Sequence, residues 1–297
     1  MAQYTIKDIE KLTGIKAHTI RIWEQRYGVV EPHRTETNIR FYDDEQLKML
    51  LNISILVRNG KKISSISNLS AEELAKETLE LLQDPGHPTD SYFSVQIDGL
   101  VVAMMELDEM RFEKIISNGT LRYGFETVML RILIPFLQKV GLLWTAGEIS
   151  VAQEHFITHL IRRKLIVAID GQVLKHSHPQ RFLLFLPEDE LHELGLLFAK
   201  YLIKSRGFRV VYLGQAVPLQ DVVVLKELYQ PEYLLTYFTS SYQSHKIQQD
   251  VQKLSQAFGS SKVLVCGPVI RYYKGELPAN VKFLAEIEDL LTLLNHL

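Results

Sequence analysis

The residues in this sequence whose types and spacing could do chemistry fall into two constellations. The first is Glu190-Leu191-His192-Glu193-Leu194-Gly195. An imidazole two residues from a carboxylate can ligate a metal ion through one ring nitrogen. The carboxylate then accepts the proton of the other nitrogen, which fixes the tautomer and makes the ligand more basic. Gly195 lets a bulky group approach the backbone closely. A solvated histidine at a helix start accounts for the same residues if His192 is taken alone. The second constellation is Trp144 with Glu154 and His155, ten and eleven positions later. Trp144 equally suits a core position, and Glu154 a solvated helix face. His155 and His159 are one helical turn apart, as in a zinc pair, but no third or fourth ligand is evident and zinc is disfavoured. The single Cys266 excludes an internal disulfide and a multi-cysteine metal site, and fits a reducing cytoplasm.

The elements that must position these residues follow from the hydrophobic pattern. After His176-Ser177-His178-Pro179, continuously apolar runs alternate with helical segments. The runs are Arg181 to Leu186, Arg209 to Leu213, Tyr233 to Tyr237 and Lys262 to Val265, with Lys282-Phe283-Leu284 as a fifth. That alternation predicts a parallel sheet covered on both faces, whose ligands bind beyond the carboxyl ends of the strands. The loop carrying His192 follows the first strand, at that end. Residues 91–178 are helical in pattern, with an apolar face through Leu130, Leu133, Ile134 and Leu137, and Pro135 within it implies a kink. Asp84-Pro85-Gly86-His87-Pro88-Thr89-Asp90 is a run of breakers and reads as a linker.

The expected organisation is multidomain, α plus α/β: a winged helix-turn-helix over 1–83, a linker over 84–90, a four-helix-bundle cap over 91–178, and a Rossmann-like, flavodoxin-like parallel-sheet domain over 179–297. A chain of 297 residues with 46% hydrophobic and 23% charged content accommodates this as ordinary globular domains. The most apolar stretch, Val128 to Trp144, is interrupted by Arg131, Gln138 and Lys139, and no membrane association is expected. Residues 1–70 carry 11 Lys and Arg against 8 Asp and Glu. That excess is too small to identify a nucleic-acid binder, so the argument rests on where the cations lie.

At the N-terminus Thr5, with Asp8 three positions on, predicts a capped helix through Ile6, Ile9 and Leu12. Gly14 makes a turn, and a second helix runs from about Ala17 to Tyr27, with Ile20 and Trp23 inward and His18, Thr19 and Arg21 outward. This is the helix-turn-helix plan, in which the second helix enters the major groove. Arg34 and Arg40 flank a hairpin-like segment from Pro32 to Tyr42 and can neutralise phosphates as a wing. Lys16, Arg26 and Tyr42 complete the candidate DNA-binding set. Two helices joined by a glycine also occur as a purely structural pair.

The run TIRIWEQRYGVVEPHRTETNIRFYDDEQLKML, residues 19–50, resembles the MerR family of winged-helix regulators, notably in Trp23-Glu24-Gln25-Arg26-Tyr27-Gly28 and Pro32-His33-Arg34. The resemblance implies a dimer on near-palindromic double-stranded DNA. Members that sense metals use paired cysteines, which this chain lacks. The two constellations are similar to the Asp/Glu-x-His-x-x-Gly and Trp-x9-Glu-His motifs of the CarA/CarH/LitR group, MerR-like regulators with a cobalamin-binding half.

Carried onto this sequence, that resemblance implies adenosylcobalamin as cofactor. His192 would be the lower cobalt ligand, oriented by Glu190. Trp144 would shelter the adenosyl group and Glu154 would hydrogen-bond it. His155 would become the upper ligand after light removes that group. Gly195, Ser240 and Gly267 would line the path of the nucleotide tail. The implied function is a non-enzymatic repressor, dimeric or tetrameric, governed by cofactor and light. The sequence departs from the group at Phe238-Thr239-Ser240-Ser241-Tyr242, an approximate Ser-x-Leu/Thr piece. It departs again at Cys266-Gly267-Pro268, where corrinoid domains carry Gly-Gly. A side chain at Cys266 could crowd the tail channel without touching His192, and the alternative is a module that binds no cofactor and serves dimerisation or protein interaction. A corrinoid mutase or methyl carrier would need a catalytic barrel or a partner enzyme. A nucleotide enzyme would need glycine-rich phosphate loops, and none is present.

Overall fold

The computed structural model describes residues 3–35, 37–83, 90–145, 149–173, 177–239, 244–267, 270, 273 and 276–297, with backbone alone at 79–83, 90–91 and 244–245. The chain divides into two compact units, Met1–Leu160 and Ile161–Leu297. The first holds the N-terminal elements and most of the helical bundle.

Unit one begins with β1 (Tyr4–Thr5), α1 (Ile6–Thr13), α2 (Ala17–Tyr27), β2 (His33–Arg34), β3 (Arg40–Tyr42), α3 (Asp44–Arg58), α4 (Ile63–Ile66) and α5 (Ala71–Gln83). Thr5 and Asp8 form the capping box of α1. Gly14 closes the helix with φ of 72°, a left-handed conformation that glycine adopts without strain. The strands form a small antiparallel sheet in the order β1-β3-β2. The segment from Pro32 to Tyr42 therefore is a wing hairpin. Its pairing with Tyr4–Thr5 was not evident from the sequence, because a two-residue strand has no periodicity.

The bundle comprises α6 (Asp90–Glu106), α7 (Glu109–Tyr123), α8 (Phe125–Val128) continuing through a π-helical turn into α9 (Ile134–Thr145), and α10 (Val151–Asp170). Helix α6 starts at Asp90; the remainder of the expected linker, 84–89, lies outside the described residues. Just before Pro135, where a kink was expected, the helix carries a π turn over Met129–Leu133. Proline has no N–H for the ordinary ladder, and Ile134 N–H reaches back five residues to Met129 O. The composite helix Phe125–Thr145 is long and apolar enough to cross a membrane on composition alone. Its Leu133, Phe136, Val140 and Leu143 are nevertheless buried, and Lys139 pairs with a buried carboxylate of α6, as befits a bundle helix.

Unit two contains β4 (Arg181–Pro187), α11 (Leu194–Ser205), β5 (Arg209–Val217), α12 (Leu219–Tyr229), β6 (Tyr233–Tyr237), α13 (Ser244–Ala257), β7 (Lys262–Cys266), β8 (Val281–Leu284) and α14 (Ile287–Asn295). The sheet is parallel throughout, in the order β5-β4-β6-β7-β8, the flavodoxin-like arrangement. The order reverses between β4 and β6, which opens a crevice at their carboxyl ends. Leu183, Phe185, Leu234, Val263 and Val265 form the core of one face with Ile247, Val251 and Leu254 of α13.

Candidate functional site

The loop leaving β4 at that crevice carries Glu190 and His192. Glu190 is fully buried, and its carboxylate organises the site. One oxygen accepts from His192 N–H at 2.9 Å and lies 2.7 Å from His192 Nδ1. The other accepts from Thr239 N–H at 2.9 Å and Thr239 Oγ1 at 2.8 Å. The carboxylate thereby ties the loop after β4 to the loop after β6. Burial works against its ionisation, but the hydrogen bonds from His192 and Thr239 outweigh it and hold the carboxyl below the usual range. An ionised Glu190 favours the His192 tautomer with its proton on Nδ1. The His192 side chain is 60% exposed.

Glu193 anchors the same loop from its other side. It is buried, with Arg162 of α10 on one oxygen and the hydroxyl of Tyr212 donating to the other at 2.7 Å. Burial, reinforced by the Glu193 carboxylate, pushes the Tyr212 phenol up beyond its ordinary range. Neither partner was identified from the sequence, because no local pattern links positions 162, 193 and 212.

The two glycines are engaged from within the unit. A Cβ on Gly195 would fall 2.7 Å from the ring of Tyr237, and one on Gly267, where φ is 115°, would fall 2.0 Å from Phe238 O. Each glycine is thus required by internal packing. Ser240 and Pro268 lie outside the described residues. Cys266 is buried, and burial pushes its thiol up to about 12.

In unit one Trp144 stands near the end of α9 with 49% of its surface exposed. Glu154 and His155 lie in the first turns of α10. Glu154 accepts from Thr158 Oγ1 at 2.8 Å, and its other oxygen lies 3.2 Å from His155 Nδ1. His155 is 64% exposed, and its ring is 6.2 Å from that of His159. Among the described residues no group of three or more His, Cys, Asp or Glu is placed to hold a metal ion alone. Among the described residues no third or fourth ligand joins His155 and His159, whereas a macrocycle that already holds its metal would need only one axial imidazole. The donor set at His192 fits that requirement.

At the N-terminal end His18 and Arg21 are exposed on α2, and Ile20 and Trp23 are buried beneath them. Thr19 is half-buried, with its hydroxyl 3.4 Å from the His18 ring. Lys16 is exposed and paired with Glu10 at 3.0 Å. Arg26 is exposed over the ring of Tyr27, and Arg34 is exposed on the wing, donating to Asn38 Oδ1 at 2.7 Å. One expectation needs correction. Tyr42 is fully buried and donates its hydroxyl to Glu24, so it braces the wing from inside and has no surface for DNA. Arg40 is held by the other oxygen of Glu24 at 3.2 Å, so its charge is partly neutralised within the protein. Glu24 thus pins the wing to the recognition helix. The Trp-Glu-x-Arg-Tyr-Gly run held that residue, but the hairpin's register was needed to show what it grips.

Comparison with known families gives two matches. Residues 4–73 match the family described as MerR HTH family regulatory protein, and residues 96–168 match the family described as B12 binding domain. The chain thus carries a MerR-type helix-turn-helix region followed by a region matching a B12-binding domain. The chain is similar to the HTH-type transcriptional repressor CarH of Myxococcus xanthus, at 27% identity over 256 residues, 86% of this chain and 85% of that protein. It is similar also to the repressor CarA of the same organism, at 28% identity over 215 residues, 72% of this chain and 68% of that protein. Among solved structures it resembles the Methanosarcina barkeri monomethylamine corrinoid protein in fold. The TM-score is 0.50 at 16% identity, covering 69% of this chain and 96% of that one.

Proposed function

We propose that the protein is a cytoplasmic repressor whose assembly and grip on a near-palindromic DNA operator are set by adenosylcobalamin and by light. The observation that carries this reading is the Glu190–His192–Thr239 cluster. A buried, ionised carboxylate fixes the tautomer of an exposed imidazole at the carboxyl end of a central strand, as an axial ligand requires. When bound, adenosylcobalamin supplies a cobalt–carbon bond that light cleaves.

The chain's own groups then have separate tasks. His192 would hold the cobalt of a bound corrinoid, with Glu190 keeping its ring aligned. Trp144, half exposed, would shelter the adenosyl group, and Glu154 would accept a hydrogen bond from it. His155, beside Glu154, would be the imidazole available as a second ligand. Two packings of the chain would stand in equilibrium, and the one with room for the bound cofactor would be favoured. The better-packed state assembles as a dimer or tetramer and presents paired recognition helices to the operator.

Size-exclusion chromatography of the full chain with adenosylcobalamin, in the dark and after illumination, tests the reading. Retained visible absorbance with a larger species in the dark, converting to a smaller one in light, is expected. A second reading is favoured by the packing of Gly195 against Tyr237 and of Gly267 against Phe238, which fills positions that a nucleotide tail would approach. In that reading the α/β unit binds no corrin and serves dimerisation, and no pigment co-elutes.

A further inference from the structure

Asp98, on α6 of the bundle, is fully buried and takes no part in the sites described above. Its two oxygens are held by cations from different parts of unit one. Arg58 Nη1, at the end of α3, lies 2.6 Å from one, and Lys139 Nζ, on α9, lies 2.6 Å from the other. Both cations have a second task. Arg58 Nη2 donates to Thr13 O and Lys139 Nζ donates to Leu12 O. These are the last carbonyls of α1, which the helix itself leaves without donors and where its dipole favours positive charge.

The next residue is Gly14, the turn between α1 and the recognition helix. A Cβ there would fall 2.5 Å from Arg58 Nη2, so the turn is shaped to admit this guanidinium. Ser94, also on α6, accepts from Arg58 Nη1 at 2.7 Å, and Ser54 donates to Thr13 O at 2.8 Å. Lys139 sits on the helix that ends at Trp144-Thr145, little more than one turn before the indole.

We infer that the Asp98–Lys139–Arg58 cluster couples α9 to the helix-turn-helix turn, so that a displacement of the Trp144 helix alters how the recognition helix is presented to DNA. Mechanically the link is short. Lys139, on the helix bearing Trp144, reaches the end of α1 directly. Arg58 shares its counter-ion and grips the adjoining carbonyl, so a shift of α9 loosens or tightens both contacts together. A buried carboxylate with two cationic partners has few alternative arrangements, because leaving any member unpaired is strongly destabilising. The cluster therefore behaves as a switch with discrete states more than as a soft spring. Its purpose as a route for corrinoid control rests on the function proposed above, but the mechanical link does not, since coupling between two sites is reciprocal.

That reciprocity supplies a test free of cofactor. A duplex selected by the full-length protein from a random pool is added to the cofactor-free chain, and amide hydrogen exchange is followed in α9 from Leu137 to Thr145. Exchange there is expected to slow at least threefold on DNA binding in the unaltered protein. The slowing is expected to vanish in Lys139→Gln and return in Lys139→Arg, which restores a cation. Lys139→Met, which keeps the aliphatic stem, replaces Lys139→Gln if circular dichroism shows the latter unfolded. Slowing that persists in these uncharged variants, or that is absent from the unaltered protein, overturns the inference. Retention of adenosylcobalamin is measured in parallel. Its absence, with the exchange response intact, would refute the corrinoid reading and leave the coupling standing.

Discussion

Glu190 accepts four hydrogen bonds, two on each oxygen, without any exposed surface. Glu190→Gln keeps the shape of the side chain but turns one oxygen into an amide donor. Whichever way the amide is turned, its NH2 faces one backbone N–H, of His192 or of Thr239, that cannot accept from it, whereas the Thr239 hydroxyl or the His192 Nδ1 can reverse its role. One charge-assisted bond is lost outright, at about 1.5–3 kcal/mol. We expect about 2 kcal/mol in urea unfolding of the full chain followed by circular dichroism. The imidazole loses its orienting partner at the same time, and affinity for adenosylcobalamin, titrated in the dark by visible absorbance, should fall about 10–100-fold. A stability change below about 1 kcal/mol would mean that the carboxylate does not tie the two loops together. Lost stability with unchanged affinity would remove Glu190 from the ligand system.

Three further substitutions or reactions probe separate parts of the account. Arg21→Ala, on the exposed face of α2, should weaken operator binding and reduce the slope of log affinity against log salt by about one, with unfolding unchanged; an unaltered slope removes Arg21 from the phosphate contacts. Tyr42→Phe takes the hydroxyl from Glu24 and should lower stability by about 1–2 kcal/mol, leaving the salt slope as it was; a changed slope would place Tyr42 at the DNA after all. Cys266, buried and with its thiol pushed up to about 12, should resist Ellman's reagent at pH 8 in native protein and react fully in urea; rapid native labelling would show that the end of β7 is open to solvent.

The fold was legible in the sequence wherever one element carries its own signal. Thr5 and Asp8 announced α1, the apolar runs announced β4 to β8, and Gly14 announced the turn. Elements below the length of a periodic pattern were not legible, which is why β1 escaped notice and why the π turn beside Pro135 read only as a kink. The site was legible as far as its local motif extended. Glu190 and His192 stand two apart, and their contact needs only one loop conformation. Thr239, Arg162 and Tyr212 reach the same loop through the parallel topology, which no spacing along the chain encodes. Tyr42 was misplaced for a related reason. An aromatic residue in a basic hairpin suits DNA stacking or core packing equally, and the register opposite β1, with Tyr4 across from Tyr42, turns it inward. Asp98 was silent because a single acid in an apolar helix acquires meaning only when distant cations fold onto it.

The central claim is that one imidazole of this chain meets cobalt. Electron paramagnetic resonance of the full chain loaded with cob(II)alamin reads it directly, because the axial nitrogen splits each cobalt line. Protein grown with nitrogen-15 histidine should turn the three-line splitting of nitrogen-14 into a two-line one, and His192→Ala should abolish the change. A three-line pattern indifferent to histidine labelling would assign the nitrogen to the cofactor's own base and contradict the account.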